Sequence, residues 1–205
     1  MDYNLYTYGL ILCAVSVLGF VLENVWLAVR SGYIDNRNMT LPFLLGYGIF
    51  IIALYKLIGV PENISLPSYI PYSNSKFAKR LIYFILAFVI VSISEIALGN
   101  AVEKLCGFYY WNYETLPMHI TRYTSVPTSC AFAFIITFFM DKCFEPMMSA
   151  FSKINHSTAV LLSTSLTVLM AADFIKSFHT MYKKKALNTK WRINIGKKHS
   201  LKTVR

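Results

Sequence analysis

Charged residues are scarce in this chain. Asp, Glu, Lys and Arg together make up 15% of its 205 residues, whereas they make up about a quarter of a typical soluble domain. Hydrophobic residues reach 56% and gather in long runs. This composition excludes an ordinary soluble domain and predicts an integral membrane protein. We expect one polytopic membrane domain at 1–180 and a basic cytoplasmic tail at 181–205.

Several motifs are also missing, and each absence removes support for a class of function. The four cysteines are scattered without a CxxC, so neither a zinc site nor a disulfide framework is indicated. GxSxG and HExxH are absent, which leaves nucleophilic and zinc catalysis without support. GxxxxGK[ST] is absent too, so any ATPase has to be a separate chain. We therefore predict no metal, no cofactor and no catalytic residue.

Long apolar runs are what the chain does have. They lie at about 6–29, 41–60, 81–105, 126–140 and 158–178, and each can approach the roughly 20 residues that a membrane-spanning helix needs. They lack the alternation of a half-buried strand. The first run follows no basic segment and is too long for a signal-peptide core, so we expect it to be retained. The sequence predicts an all-α integral membrane protein with about five transmembrane helices.

Positive charge is uneven along the chain. The net charge is +10, and the chain is strongly basic from Lys176 onward. Because Lys and Arg are retained on the cytoplasmic side, we expect a cytoplasmic C-terminus, although Lys76, Lys79 and Arg80 then fall on the opposite side. The basic tail favours membrane lipids as a partner and not nucleic acid. We favour a disordered tail that serves to orient the chain in the membrane. The alternative is a tail in contact with the lipid surface, for which Trp191 among the lysines speaks.

A GxxxE pattern occurs twice. Gly19 and Glu23 lie near the end of the first apolar run, and Gly99 and Glu103 lie near the end of the third. Similar landmarks follow each glutamate: Gly32-Tyr33, Asn36 and Leu41-Pro42 in one copy, and Gly107-Phe108, Asn112 and Leu116-Pro117 in the other. The duplication predicts that the first four helices form two similar hairpins related as a parallel repeat. If their polar stripes face each other, Gly19 meets Gly99.

Acidic side chains near hydrocarbon are costly unless they face protein, water or a partner. In the third run, Glu95 shares one helix face with Gly99 and Glu103 because the three are four residues apart in turn. We predict one polar cavity that holds the acids and opens to the cytoplasm, closed by an aromatic segment and an Asn-Arg turn. The candidate substrate-binding residues are Glu23, Asn36, Arg37, Glu95, Glu103, Trp111, Tyr113 and Arg122.

A structural role is the alternative for part of this set. Glu23 and Glu103 lie within about two turns of a helix end. There they can snorkel to the interface or pair with a nearby cation, of which the sequence offers Arg30, Arg37, Lys104 and Arg122. The aromatic segment at 107–122 is either an interfacial belt or a loop folded into the mouth of the bundle. Glu95 lies deeper and is the hardest acid to explain structurally.

These residues resemble the CmpB-type ABC-transporter permease proteins of Gram-positive bacteria. The resemblance covers about 19–129 and rests on Glu23, Asn36-Arg37, Gly46-Tyr47-Gly48, Glu95, Gly99, Glu103 and Trp111-Asn112-Tyr113. The family pattern reads Asn-Arg-Gly, Pro-Ile-Tyr-Gly and Trp-Asp-Tyr-Ser. Here Asn38 follows Arg37, the second motif is reduced to Gly46-Tyr47-Gly48 and Glu114 ends the third, which indicates a divergent member. The resemblance implies a multi-pass protein of the bacterial cell membrane.

Three functions fit these features. The favoured one is a permease or transport component with an acidic polar site between repeated hairpins, accompanied by a separate ATPase subunit or another membrane protein. The first alternative is an intramembrane enzyme that acts on a lipid or isoprenoid through carboxylic acid general acid/base chemistry. The second is a non-catalytic membrane scaffold whose glutamates pair with arginines of a partner.

Overall fold

The computed structural model describes residues 3–65 and 75–195 of the chain. The end of the predicted basic tail, 196–205, lies outside the described residues. Six helices make up most of the described chain: α1 Leu5–Ser31, α2 Leu45–Ile58, α3 Lys76–Cys106, α4 Val126–Lys142, α5 Phe144–Ser152 and α6 His156–Lys184. The mostly helical membrane class predicted from the sequence is confirmed.

Three helices, α1, α3 and α6, are long and apolar enough to cross a membrane. The pair α4 and α5 is bent by 45° and makes a fourth span if it crosses as one unit. By contrast, α2 has 14 residues and is about 21 Å long, shorter than the roughly 30 Å hydrocarbon core. Within the described residues the structure therefore holds three candidate spans, or up to four. The count of about five stays a prediction.

Local sequence signals fix the helix ends. The Asn4 side chain accepts a hydrogen bond from the backbone N–H of Thr7 and caps the start of α1. Gly32 and Gly107 end α1 and α3 in the left-handed conformation, with φ of 71° and 75°, where a glycine avoids the steric cost of a Cβ. These glycines are the first landmarks after the two GxxxE patterns, so both long helices end in the same way.

Ring and hydroxyl contacts define the direction of each helix. Tyr55 of α2 lies beside Tyr8 of α1, while the Leu44 N–H just before α2 donates to the Ser16 carbonyl, so α1 and α2 are antiparallel. Tyr47 lies beside Phe132, and Tyr55 beside Phe144, so α2 and α4 run in the same direction.

The other two long helices follow the direction of α1. The Arg80 guanidinium at the start of α3 bonds to Asp141 at the end of α4, so α3 is antiparallel to α4 and parallel to α1. On α6, Ser163 faces Gly9 and Thr167 faces Cys13, so α6 is parallel to α1 as well.

The interior lies between α1, α2, α3, α4 and α5. Its fully buried members include Ile11, Tyr83, Ala87, Ala133, Phe144 and Met148. Outward-facing residues such as Ile93 of α3 and Leu161 of α6 are apolar and exposed. Contiguous exposed apolar surface of this kind is typical of a lipid-facing surface.

Three short antiparallel ribbons join the helices, and strands were not expected from the sequence. They pair β1 Tyr33–Asp35 with β6 Arg192–Asn194, β2 Gly59–Val60 with β3 Asn63–Ile64, and β4 His119–Thr121 with β5 Thr124–Ser125. The first ribbon ties the basic tail to the connection between α1 and α2. The described part of the tail is therefore built onto the fold.

Candidate functional site

Glu23 of α1 lies against Tyr47 of α2. The Tyr47 hydroxyl donates to Glu23 Oε1 at 2.6 Å, and the Tyr47 ring covers Gly19 one helical turn away. A Cβ on Gly19 would meet carbons of that ring closer than 3.0 Å. The GxxxE spacing thus places a glycine and a glutamate on one face of α1, where one tyrosine contacts both.

Glu103 of α3 has the same arrangement. The Tyr123 hydroxyl donates to Glu103 Oε2, and the Tyr123 ring covers Gly99, whose Cβ would again come closer than 3.0 Å. Each glycine therefore meets a tyrosine, and the expected Gly19–Gly99 contact does not form. Small residues often allow two membrane helices to approach closely. Here a tyrosine ring packs against each glycine instead of a second helix backbone.

Each of these two glutamates also pairs with an arginine. Arg37 Nη2 lies 3.0 Å from Glu23 Oε2, and the two side chains are 16% and 21% exposed. Arg122 Nη1 lies 3.6 Å from Glu103 Oε1, with both side chains more than a third exposed. The geometry therefore shows the structural alternative considered for these acids, in which each pairs with a nearby arginine. The Arg37–Glu23 pair is better shielded from solvent than the Arg122–Glu103 pair.

A tight turn holds Arg37 in place. The Met39 N–H donates to the Asn36 carbonyl at 2.8 Å, and the two central residues, Arg37 and Asn38, have φ of 46° and 67°. Such a turn suits glycine and asparagine best. The Asn36 and Asn38 amides accept hydrogen bonds from backbone N–H groups of Lys190 and Asn188, so the tail locks the turn.

The environment of Arg37 favours its charge. Burial alone lowers the pKa of Arg37, but the Glu23 carboxylate, with Tyr110 and Asp35, raises that pKa above its ordinary value. Tyr110 donates to the Arg37 carbonyl at 3.1 Å, and burial raises the pKa of Tyr110 to about 12. Among the described residues, the buried Nε of Arg37 has no hydrogen-bond partner.

Glu95 differs from the other two acids because its hydrogen bonds come from hydroxyl groups. The Thr124 hydroxyl donates to Glu95 Oε2 at 2.8 Å, and the Ser129 hydroxyl lies 3.5 Å from the same oxygen. Thr124 and Ser129 are fully buried and bond to each other at 2.8 Å. Within the described residues, no ion pair to Glu95 is present. Glu95 is thus held in position without a cation.

The aromatic segment folds back on itself. The Trp111 indole N–H donates to the Tyr123 carbonyl at 2.9 Å, and the Tyr113 N–H donates to the Arg122 carbonyl at 2.7 Å. Burial raises the pKa of the Tyr113 phenol well above its usual range, and the nearby Glu95 and Glu23 carboxylates raise it further. Two of the three acids therefore act electrostatically on Tyr113.

An open groove of about 610 Å³ lies at the C-terminal end of α3. It is lined by Asn100, Glu103, Lys104, Gly107, Phe108 and Tyr109. Of the three predicted acids, Glu103 lines this groove, while Glu23 and Glu95 lie near Tyr113. Among the described residues, no group of three His, Cys, Asp or Glu side chains is arranged to hold a metal ion.

Sequence reasoning missed four hydroxyl residues and one acid that shape this region. Tyr47 stood in the Gly46-Tyr47-Gly48 motif, and Tyr123, Thr124 and Ser129 stood just after the aromatic segment, but no spacing rule tied them to the glutamates. The acid is Asp173, which lies near the end of the fifth apolar run and is not among the predicted substrate-binding residues. Its carboxylate accepts hydrogen bonds from the backbone N–H groups of Thr40 and Leu41, at 2.9 and 2.8 Å, which is an anchoring role.

Comparison with known proteins gives one family. No curated protein and no solved structure matches the chain. The profile of a family described as "Putative ABC-transporter type IV", ABC_trans_CmpB, matches residues 10–178. This range takes in every helix core, both GxxxE patterns and the whole aromatic segment, and it confirms the resemblance seen in the sequence. The chain belongs to the family that this profile describes.

Proposed function

We propose that the chain is the membrane permease component of an ABC-type transporter in the bacterial cell membrane, with a separate ATPase as partner. The polar site of this component centres on Glu95 and lies between two repeated helical hairpins. One observation carries the proposal: the Gly-Tyr-Glu-Arg arrangement occurs twice at one end of the bundle, and Glu95, without a cation, lies with them.

The repeat is supported by matching contacts in the two hairpins. In each hairpin a tyrosine ring covers a glycine, and the hydroxyl of that tyrosine donates to the glutamate one helical turn after the glycine. An arginine pairs with the same glutamate. The helices α1 and α3 run in the same direction, as do α2 and α4. We infer that the two hairpins are copies of one unit. We also infer that α2, extended by the residues on either side of it, crosses the membrane as a fifth span beside α1, α3, the α4–α5 pair and α6.

The chemistry of the site favours a polar substrate. Glu95 offers a carboxylate positioned by two buried hydroxyls, and the Nε of Arg37 offers a buried donor. An unsatisfied buried donor is costly and calls for an acceptor. A substrate that brings a positive charge or donors to Glu95 and an oxygen to Arg37 would satisfy both groups. Glu23 and Glu103 keep their internal partners.

The scaffold alternative loses its main support. It required glutamates that pair with arginines of another protein, whereas Glu23 and Glu103 already pair with Arg37 and Arg122 in this chain. The enzyme alternative gains no observation of its own. The transport proposal is therefore the one that the family and the geometry both support.

Co-purification tests the proposal. The tagged chain, cross-linked in its own membranes and purified in mild detergent, is expected to carry a second chain that contains GxxxxGK[ST]. A polytopic membrane protein of another family, expressed and purified in parallel, is the control for carry-over. If only unrelated chains are recovered, equally with both proteins, the transporter assignment is wrong.

A further inference from the structure

The net charge of the chain is confined to its last part. All ten acidic residues precede Phe174, as do ten of the twenty basic residues. The whole net charge of +10 therefore belongs to 174–205, a stretch with no acidic residue. Such a stretch is attracted to an anionic surface over distances of about a Debye length.

The strand β6 separates apolar from polar side chains. Trp191, Ile193 and Ile195 are two residues apart in turn and share one face of the strand. Their side chains are 40%, 56% and 60% exposed. On the opposite face the Arg192 guanidinium covers the Tyr33 ring at 4.1 Å. The ribbon thus presents three apolar side chains outward and keeps one cation against the fold.

The contacts of the ribbon hold this face in a fixed orientation. Ile193 pairs with Ile34 of β1, and the Ile195 N–H donates to the Gly32 carbonyl at 2.8 Å. The Lys190 N–H donates to the Asn36 amide oxygen at 2.8 Å. These backbone bonds fix the register and orientation of β6, so the tail up to Ile195 is positioned as part of the fold.

The ribbon begins directly after α1, which is long and apolar enough to cross a membrane. On α1, Val25, Trp26 and Val29 are 54%, 40% and 79% exposed, so the lipid-facing apolar surface continues to the last turn of the helix. β1 begins at Tyr33, directly after that turn. The apolar face of β6 therefore lies where hydrocarbon gives way to headgroups, which is the depth that Trp side chains favour.

We propose that the apolar face of β6 docks onto the anionic leaflet of the membrane, with Trp191, Ile193 and Ile195 inserted at the headgroup boundary. The neighbouring Lys183 and Lys184, exposed at the end of α6, contact lipid phosphates, whereas Lys185 donates to the Leu105 carbonyl at 3.0 Å. The partner is an anionic bilayer and not another protein, because an apolar strand beside a run of cations with no acid matches that surface in both polarity and charge. This inference does not depend on the transport proposal.

Fluorescence of Trp191 in the full chain tests the docking. The variant with Trp26→Phe and Trp111→Phe leaves Trp191 as the single tryptophan and is placed in nanodiscs that contain brominated lipid. In discs with anionic lipid we expect quenching of Trp191 and a blue shift of its emission. Replacing Lys183 and Lys184 by glutamine should reduce both effects toward those in zwitterionic discs, and it leaves the Lys185 contact with Leu105 in place.

Two comparisons make the result decisive. A variant that keeps Trp26 alone, on the lipid-facing surface of α1, should be quenched equally in both kinds of disc and shows that the protein is inserted. If Trp191 stays unquenched and open to acrylamide in anionic discs while Trp26 is quenched, the docking is wrong. Shielding of Trp191 in lipid-free detergent that grows with protein concentration would assign the face to a second copy and would also overturn the proposal.

Discussion

Single residues carry the duplicated arrangement at the end of the bundle. Gly19 and Gly99 are positions where a tyrosine ring occupies the space of a Cβ, so only glycine leaves the ring against the helix. The same rings carry the hydroxyls that donate to Glu23 and Glu103. The glycine, the tyrosine and the glutamate of each copy therefore depend on one another.

Replacing either glycine by alanine should destabilise the protein. The added methyl group must displace Tyr47 or Tyr123, and overpacking of this kind costs about 1–3 kcal/mol. We expect Gly19→Ala and Gly99→Ala each to lower the thermal unfolding temperature in detergent. The control is Gly46→Ala: nothing lies within 4 Å of its Cβ position, and alanine is favoured over glycine in a helix by up to about 1 kcal/mol. Equal behaviour of all three variants would show that the ring contacts do not form.

The two ion pairs should differ in their contribution to stability. Arg37 and Glu23 are largely buried, whereas Arg122 and Glu103 are about a third exposed. Removing one partner of a buried pair costs up to about 3 kcal/mol because it leaves a shielded charge. Removing one partner of an exposed pair costs about 1 kcal/mol or less. We therefore expect Arg37→Gln to lower the free energy of unfolding more than Arg122→Gln.

A double-mutant cycle separates the ion pair from other contacts of the arginine. Adding Glu23→Gln to Arg37→Gln should restore part of the lost stability, because no unpaired charge remains. Adding Glu103→Gln to Arg122→Gln should change little. A larger restoration of stability by Glu103→Gln than by Glu23→Gln would mean that the Arg122–Glu103 pair is the shielded one, contrary to the structure.

Sequence reasoning reached part of this residue-scale picture. It placed glycine and glutamate on one helix face because helical spacing requires it, and it named Arg37 and Arg122 as the nearest cations, which the structure pairs with the glutamates. It could not place Tyr47 and Tyr123, since their contacts join residues 24 and 20 positions apart through turns whose geometry no spacing rule gives. The family glycine that Asn38 replaces is explained by its φ of 67°, which asparagine tolerates.

At the scale of elements, one buried acid fixes the connection between α1 and α2. Asp173 of α6 is 8% exposed and accepts from the backbone N–H groups of Thr40 and Leu41. These donors belong to a non-helical segment that delays the start of α2 until Leu45. The predicted run from 41 was apolar enough for a helix, but this tertiary contact and Pro42 shorten it.

Substituting Asp173 should loosen that connection. Asp173→Ala leaves two backbone donors without an acceptor, at a cost of about 1–3 kcal/mol for each group left buried. Asp173→Asn keeps one acceptor oxygen and should cost less. The hydrogen exchange rate of the Thr40 and Leu41 amides should rise from wild type to Asp173→Asn to Asp173→Ala. The thermal unfolding temperature, measured in parallel, should fall in the same order. Unchanged exchange in the alanine variant would contradict the anchoring role.

The sequence predicted the long elements better than the short ones. The helices α1, α3 and α6 follow from apolar runs whose length alone indicates a span. The ribbon of β1 and β6 did not follow, because its two strands lie more than 150 residues apart and each is too short for a period-2 pattern. The Asn36 and Asn38 side chains hold the segment before β6 beside β1 through hydrogen bonds. A sequence pattern carries no information about contacts between such distant residues.

At the scale of the whole molecule, we expect the distribution of positive charge to decide the orientation of the chain in the membrane. One end of the bundle holds Glu23, Glu95 and Glu103 together with the β1–β6 ribbon and the basic tail. We expect this end to be cytoplasmic. Reporter fusions after residue 205 and between residues 61 and 75 should therefore report opposite sides of the membrane. Both reporters on the same side would exclude this topology.

Bound substrate at Glu95 is the central claim, and native mass spectrometry tests it most directly. The wild-type chain, Glu95→Gln and Glu62→Gln are purified from their own membranes in mild detergent; Glu62 is an exposed acid at the other end of the bundle. We expect wild type and Glu62→Gln to retain a bound polar small molecule that Glu95→Gln lacks, with all three proteins monodisperse. Identical spectra for the three proteins would contradict a substrate site at Glu95.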